Sequence, residues 1–163
     1  MRKILILLAG VLVLAVVNIT IYQREQLIEH GRVVLLELAP VDPRSLMQGD
    51  YMALRYKLAN DAFPRGEFKA GKDGHIVVAV DEHGVAGFKR LADDRPLAAN
   101  EAFLRYRVRN EQPKFATNAF FFQEGHADRY QSARYGEFRV AQNGEMILTA
   151  MRGSDYAVLG KAK

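Results

Sequence analysis

The stretch EAFLRYRVR, Glu101 to Arg109, alternates strictly through its second half. Leu104, Tyr106 and Val108 share one parity, and Arg105, Arg107 and Arg109 share the other. Successive side chains of a strand point to opposite faces, so the pattern predicts a strand with one face in a core and one in solvent. Half-buried strands of this kind belong to antiparallel sheets.

The neighbouring segments extend that reading. HIVVAVDEHGVAGFKRL predicts a hairpin of His75 to Val80 and Val85 to Leu91, with Gly84 suited to the left-handed turn position. KFATNAFFFQ, from Lys114, reads as one further apolar strand. EGHADRYQSARYG, from Glu124, spaces Ala127, Tyr130 and Ala133 as a helix would, with Gly136 as its stop. EFRVAQNGEMILTAMR then predicts a second hairpin turning at Asn143-Gly144. Upstream, RVVLLELA, from Arg32, is a buried strand. From Tyr51 another alternation places Met52, Leu54, Tyr56 and Leu58 on one face. The stretches 60–74 and 92–100 read as loops, which argues against a simple meander. The expected fold is mainly β (α+β), an antiparallel β-sandwich or partly open barrel with one short helix.

The N-terminus adds a membrane element. Ile4 to Val17 is wholly apolar and the run ends near Tyr22. A spanning helix needs about 20 mostly apolar residues. No pair of small residues stands where a signal peptidase would cut, so residues 1–22 read as an uncleaved transmembrane signal anchor. Residues 23–31 form a juxtamembrane linker of weak helical character, and 32–163 the β-rich domain. Arg2 and Lys3 precede the span, which puts the N-terminus in the cytoplasm by the positive-inside rule. In a bacterium the remainder then lies in the periplasm, on a single-pass inner-membrane protein.

Charge excludes one class of partner. The chain carries 23 basic and 19 acidic residues, and without Arg2 and Lys3 the excess nearly vanishes. A nucleic-acid binder would show a clear basic surplus in its folded part. Cysteine is absent, which removes disulfides, thiol catalysis and Cys-ligated zinc.

The remaining signal is GDYMALRY, Gly49 to Tyr56. Gly49 frees the backbone at a loop end and Asp50 can accept from nearby amides. Tyr51 and Tyr56 have opposite parity, so one can enter the core while the other meets solvent or a partner. This octad, LAPVDPRSLMQGDYMALRY around it and the later FFFQEGHADRYQSARYGEFRV resemble the GDYXXLXY family of membrane-anchored bacterial proteins. The resemblance marks Gly49, Asp50, Tyr51, Leu54 and Tyr56 as motif positions, with Tyr135, Gly136, Glu137 and Arg139 in the second block. It implies association with multi-spanning membrane proteins, and no known reaction or cofactor.

Four site readings are open. PRSLMQGDY echoes the serine/lysine run of membrane-anchored signal peptidases. Here, however, Pro40 holds the nucleophile position and an extra residue separates Pro43 from Leu46. Ser45 would need a desolvated Lys57, Lys69 or Lys72 as its base, and is otherwise a turn residue. Glu124, His126 and Asp128 are metal-ligand types, yet i and i+2 diverge on a helix; acidic residues at a helix start are the simpler reading, with no metal. Asp50, Glu124 and Glu137 are carboxylates from which a general acid/base pair could be drawn, though spacing does not give their separation. Arg105, Arg107 and Arg109 could bind lipid phosphates or an acidic partner, joined by Arg55 and Lys57 if the Tyr51 strand lies alongside. An ordinary solvated face, paired with Glu37 or Glu137, is the plainer account. The expected function is a membrane-anchored periplasmic accessory domain of a larger assembly, without catalysis. An envelope hydrolase or an anionic-ligand-binding domain is the alternative.

Overall fold

A computed structural model describes residues 2–39, 47–48, 51–64, 73–109 and 112–160. Gly49, Asp50, Pro40, Pro43, Ser45, Leu46, Lys69 and Lys72 lie outside the described residues.

The apolar run is helical, and the helix does not end with it. α1 spans Arg2–His30. It is long and apolar enough to cross a membrane between Ile6 and His30. Its two polar interruptions are satisfied within the helix. The Asn18 amide donates to the Leu14 carbonyl and the Thr20 hydroxyl to the Val16 carbonyl, each at 2.8 Å. A spanning helix must satisfy its polar groups internally in this way. The segment read as a weak linker is thus helix through His30.

Ten strands follow. β1 (Arg32–Glu37) pairs with β9 (Tyr135–Val140), and β9 with β10 (Met146–Arg152). A second sheet runs in the order β5 (Ala86–Leu91), β4 (Gly74–Val80), β6 (Glu101–Arg109), β7 (Gln112–Phe115). A small third sheet holds β2 (Met47–Gln48), β3 (Tyr51–Ala53) and β8 (Ala119–Phe121). Every ladder is antiparallel. Among the described residues no sheet closes on itself, so the fold is an open, mostly antiparallel β structure as expected.

All three sheets contribute to one buried core. Val34, Leu36, Met52, Leu54, Ile76, Val78, Leu104, Phe115, Phe138 and Met151 are its fully enclosed members. The sheets are also joined through backbone. Leu35 donates to the Gly84 carbonyl at 2.8 Å, and Arg105 to the Gly144 carbonyl at 2.9 Å. Both glycines have φ near +80°, at +83° and +80°, where a side chain is strained. A Cβ on Gly144 would also stand 3.1 Å from the Arg105 amide nitrogen. The turn therefore lies directly on β6.

Three local expectations are corrected. The alternation from Tyr51 ends as a strand at Ala53, and α2 (Lys57–Ala62) follows. Met52, Leu54, Tyr56 and Leu58 are all buried even so. The inward marks are right, but Leu58 reaches the core from a helix. KFATNAFFFQ is two strands, split where Ala116 turns with φ +39°. This corner carries the chain from the four-stranded sheet to the motif sheet. The helix from Glu124 shrinks to a 3₁₀ turn, Ala127–Tyr130. Gly136, expected as its stop, is buried inside the central strand β9. Pairing on both edges outweighs the weak helical spacing.

Candidate functional site

The two motif blocks meet in the core, at Tyr56. Its ring packs edge-on against Phe138 at 5.7 Å and Phe115 at 6.5 Å. Gly136 leaves room for this arrangement: a Cβ there would lie 3.1 Å from the Phe138 ring and 3.7 Å from Tyr56. The Tyr56 hydroxyl donates to the Thr117 carbonyl at 2.9 Å. Burial pushes that hydroxyl well above its ordinary pKa of 10.0. Leu54 is buried one parity step away, and its amide donates to the Asn118 carbonyl at 2.7 Å. Leu38 bridges Tyr56, and Ala39 donates to the Arg55 carbonyl. The end of the octad is thus clamped between the exit of β1 and the corner after β7.

Tyr51 behaves differently. It is half-buried and its ring tilts against Phe121 at 5.7 Å. Phe121 is 74% exposed, on β8 at the border of the motif sheet. The opposite parity of the two tyrosines is realised: one is in the core and the other forms a surface aromatic pair.

The second block holds structure together at other points. Glu137 is buried and receives the Arg152 guanidinium, with Nε at 2.6 Å. Thr149 donates to its other oxygen at 3.2 Å. A carboxylate so engaged closes the β9–β10 pair and is not a free acid or base. Glu124 is exposed in a turn, apart from this pair. Arg139, also in the second block, serves the junction of α1 with β1. Its Nη1 donates to the Gly31 carbonyl at 3.2 Å. Tyr135 stacks on Tyr156 at 5.2 Å, and Tyr156 on His83 at 4.9 Å. Burial, then the Tyr156 hydroxyl, raises the Tyr135 pKa.

Lys57 does not extend the arginine stripe. It sits on Glu37 at 3.1 Å, opposite Arg134 at the same distance. β6 is flanked by β4 and β7, so the Tyr51 strand is not its neighbour. Nor is Lys57 the desolvated base a peptidase would need, since its side chain is 52% exposed. Arg105, Arg107 and Arg109 do share a face. Arg105 faces Glu145 at 3.5 Å and Arg109 faces Asp73 at 3.3 Å. With Arg24 and Lys114 they line a groove of about 410 Å³. Neither Arg24 nor Lys114 stood out in the sequence. Arg24 becomes visible as a member only once α1 is known to continue past the apolar run. Among the described residues no three His, Asp or Glu side chains gather as metal ligands.

Glu101 also escaped the sequence reading. It is 7% exposed, and Lys89 at 2.6 Å and Arg90 at 3.4 Å meet it. The Lys89 ammonium, then the Ala98 amide, hold its carboxyl below the usual range. These two ion pairs on the buried carboxylate tie β5 to the start of β6.

The family model described as GDYXXLXY protein matches residues 13–151, from mid-anchor to β10 and including both motif blocks. No curated protein and no solved structure matches the chain.

Proposed function

This chain belongs to the GDYXXLXY family, and we propose that it is a single-pass accessory subunit of a larger inner-membrane assembly. Its β domain stands on the periplasmic side and docks on a multi-spanning partner. The observation that supports this is the pair Tyr51–Phe121. The motif places one tyrosine in the core and spends the other on a surface pair whose outer ring is 74% exposed. Exposed aromatics on a rigid sheet border are the residues that anchor protein interfaces. The anchor holds the domain beside membrane partners, so a small surface suffices at high effective concentration.

The test is co-purification from crosslinked native membranes solubilised in detergent, using a C-terminal tag. Wild type is expected to recover a multi-spanning protein, and Phe121→Asp to lose it while keeping its thermal unfolding midpoint. Equal recovery by both, or no specific partner for wild type, overturns the reading.

A further inference from the structure

The arginine groove has a second property, independent of the Tyr51–Phe121 edge: its height. Arg24 forms part of its wall. In α1, Arg24 stands two positions beyond Tyr22, where the apolar run ends. At 1.5 Å rise per residue it sits about 3 Å past the end of that run. The headgroup layer outside the hydrocarbon is roughly 5–7 Å thick on each side. The groove therefore opens at the level of lipid phosphates.

The domain is held at that level. The Arg24 guanidinium reaches Glu145 at 3.5 Å, and Glu145 also meets Arg105 at 3.5 Å. The same carboxylate thus joins the anchor to the arginine strand. Leu27 is buried against the domain, and Gly31 lies so close to Arg139 that a Cβ would stand 3.0 Å from the Arg139 Cβ.

The charges are also unbalanced. Arg107 and Lys114 are register partners across β6 and β7. Directly opposed like charges destabilise a ladder. Among the described residues neither has a carboxylate partner, whereas Arg24, Arg105 and Arg109 do. A phosphate between Arg107 and Lys114 would remove that repulsion, and a guanidinium matches two phosphate oxygens at once.

We propose that this groove binds the phosphate of acidic phospholipid headgroups in the leaflet that α1 leaves. Arg107 and Lys114 hold the phosphate, and Arg105 and Arg109 flank it. The bound lipid fixes the domain against the bilayer surface.

Native mass spectrometry of the detergent-solubilised full chain tests this, with phosphatidylglycerol titrated against phosphatidylcholine. Wild type is expected to prefer phosphatidylglycerol at least tenfold, given about fivefold per basic residue near an acidic lipid surface. Arg107→Glu should lose that preference, and Lys114→Glu likewise. Each variant replaces repulsion by attraction across the ladder, so its lipid-free unfolding midpoint should rise. A rise in stability with a loss of lipid selectivity excludes misfolding as the cause. Equal binding of the two lipids by wild type overturns the proposal, as does undiminished selectivity in both variants. If glycerol phosphate alone binds as tightly as phosphatidylglycerol, the groove is a soluble-phosphate site and the lipid proposal fails. Tighter binding of a hexaglutamate peptide would reassign it to an acidic protein segment.

Discussion

Tyr51 and Tyr56 belong to one octad, yet they live in different environments. Tyr56 is 4% exposed, between Phe115 and Phe138, with its hydroxyl on a backbone carbonyl. Tyr51 leans on a ring that faces solvent. The difference teaches that a sequence motif need not be a site. Leu54 and Tyr56 are spent on packing, and Tyr51 lies against the exposed Phe121 ring. The second block falls on the packing side of this division. Gly136, Glu137 and Arg139 each secure a different piece of the fold.

Substitutions should separate the two halves sharply. Tyr56→Ala removes the ring on which both blocks converge. A loss of about 3–5 kcal/mol in denaturant unfolding is expected, as for other buried aromatics. Gly136→Ala should cost about 1–3 kcal/mol, because the added carbon crowds Phe138 and Leu148, at 3.1 and 3.2 Å. A neutral result would mean that Leu148 yields freely, and that the glycine is not needed for packing.

Tyr56→Phe is subtler, at about 1 kcal/mol, since it leaves the Thr117 carbonyl without its donor. It also has a pH signature. The folded chain holds the Tyr56 proton to higher pH than the unfolded chain, whose tyrosine titrates near 10.0. The contribution is therefore complete below pH 10 and declines as pH rises beyond it. Unfolding followed from neutral to strongly alkaline pH should show a shallower alkaline loss in Tyr56→Phe than in wild type. Identical slopes would place the alkaline sensitivity on another group. Smallest of all, Phe121→Ala should change stability by less than about 0.5 kcal/mol, because its ring is mostly in solvent. A larger loss would make Phe121 a structural residue and weaken its assignment to docking.

Much of this was legible beforehand because period-two alternation reports burial directly. β6, both hairpins and their glycine turns stand where the pattern puts them. The errors fall where two periods agree over a short window. Tyr56 and Leu58 point inward whether the chain continues as a strand or turns into a helix. Yet Leu58, Ala59, Ala62 and Phe63 recur at helical spacing and pack on the core together. That signal was present and could have placed α2. The corner at Ala116 gave no comparable sign, since alanine seldom takes a positive φ. Nor could spacing show that Glu137 belongs to Arg152 or Glu37 to Lys57 and Arg134, because those partners meet only through strand and bridge register. The arginine face was visible. Its closure by Lys114 and Arg24 was not, because one comes from the next strand and the other from the anchor.

The unbroken passage of α1 into the domain has a mechanical consequence. About 12 Å of helix lies beyond Tyr22 before β1 begins, and it is gripped through Leu27, Arg24 and Gly31. A flexible hinge would let the two parts turn freely. This connection instead works like a crankshaft: axial rotation or a change of tilt in the bilayer swings the Tyr51–Phe121 edge through space. In the proposed membrane setting, lipid thickness and neighbouring spans thereby acquire torque over what the β domain can reach.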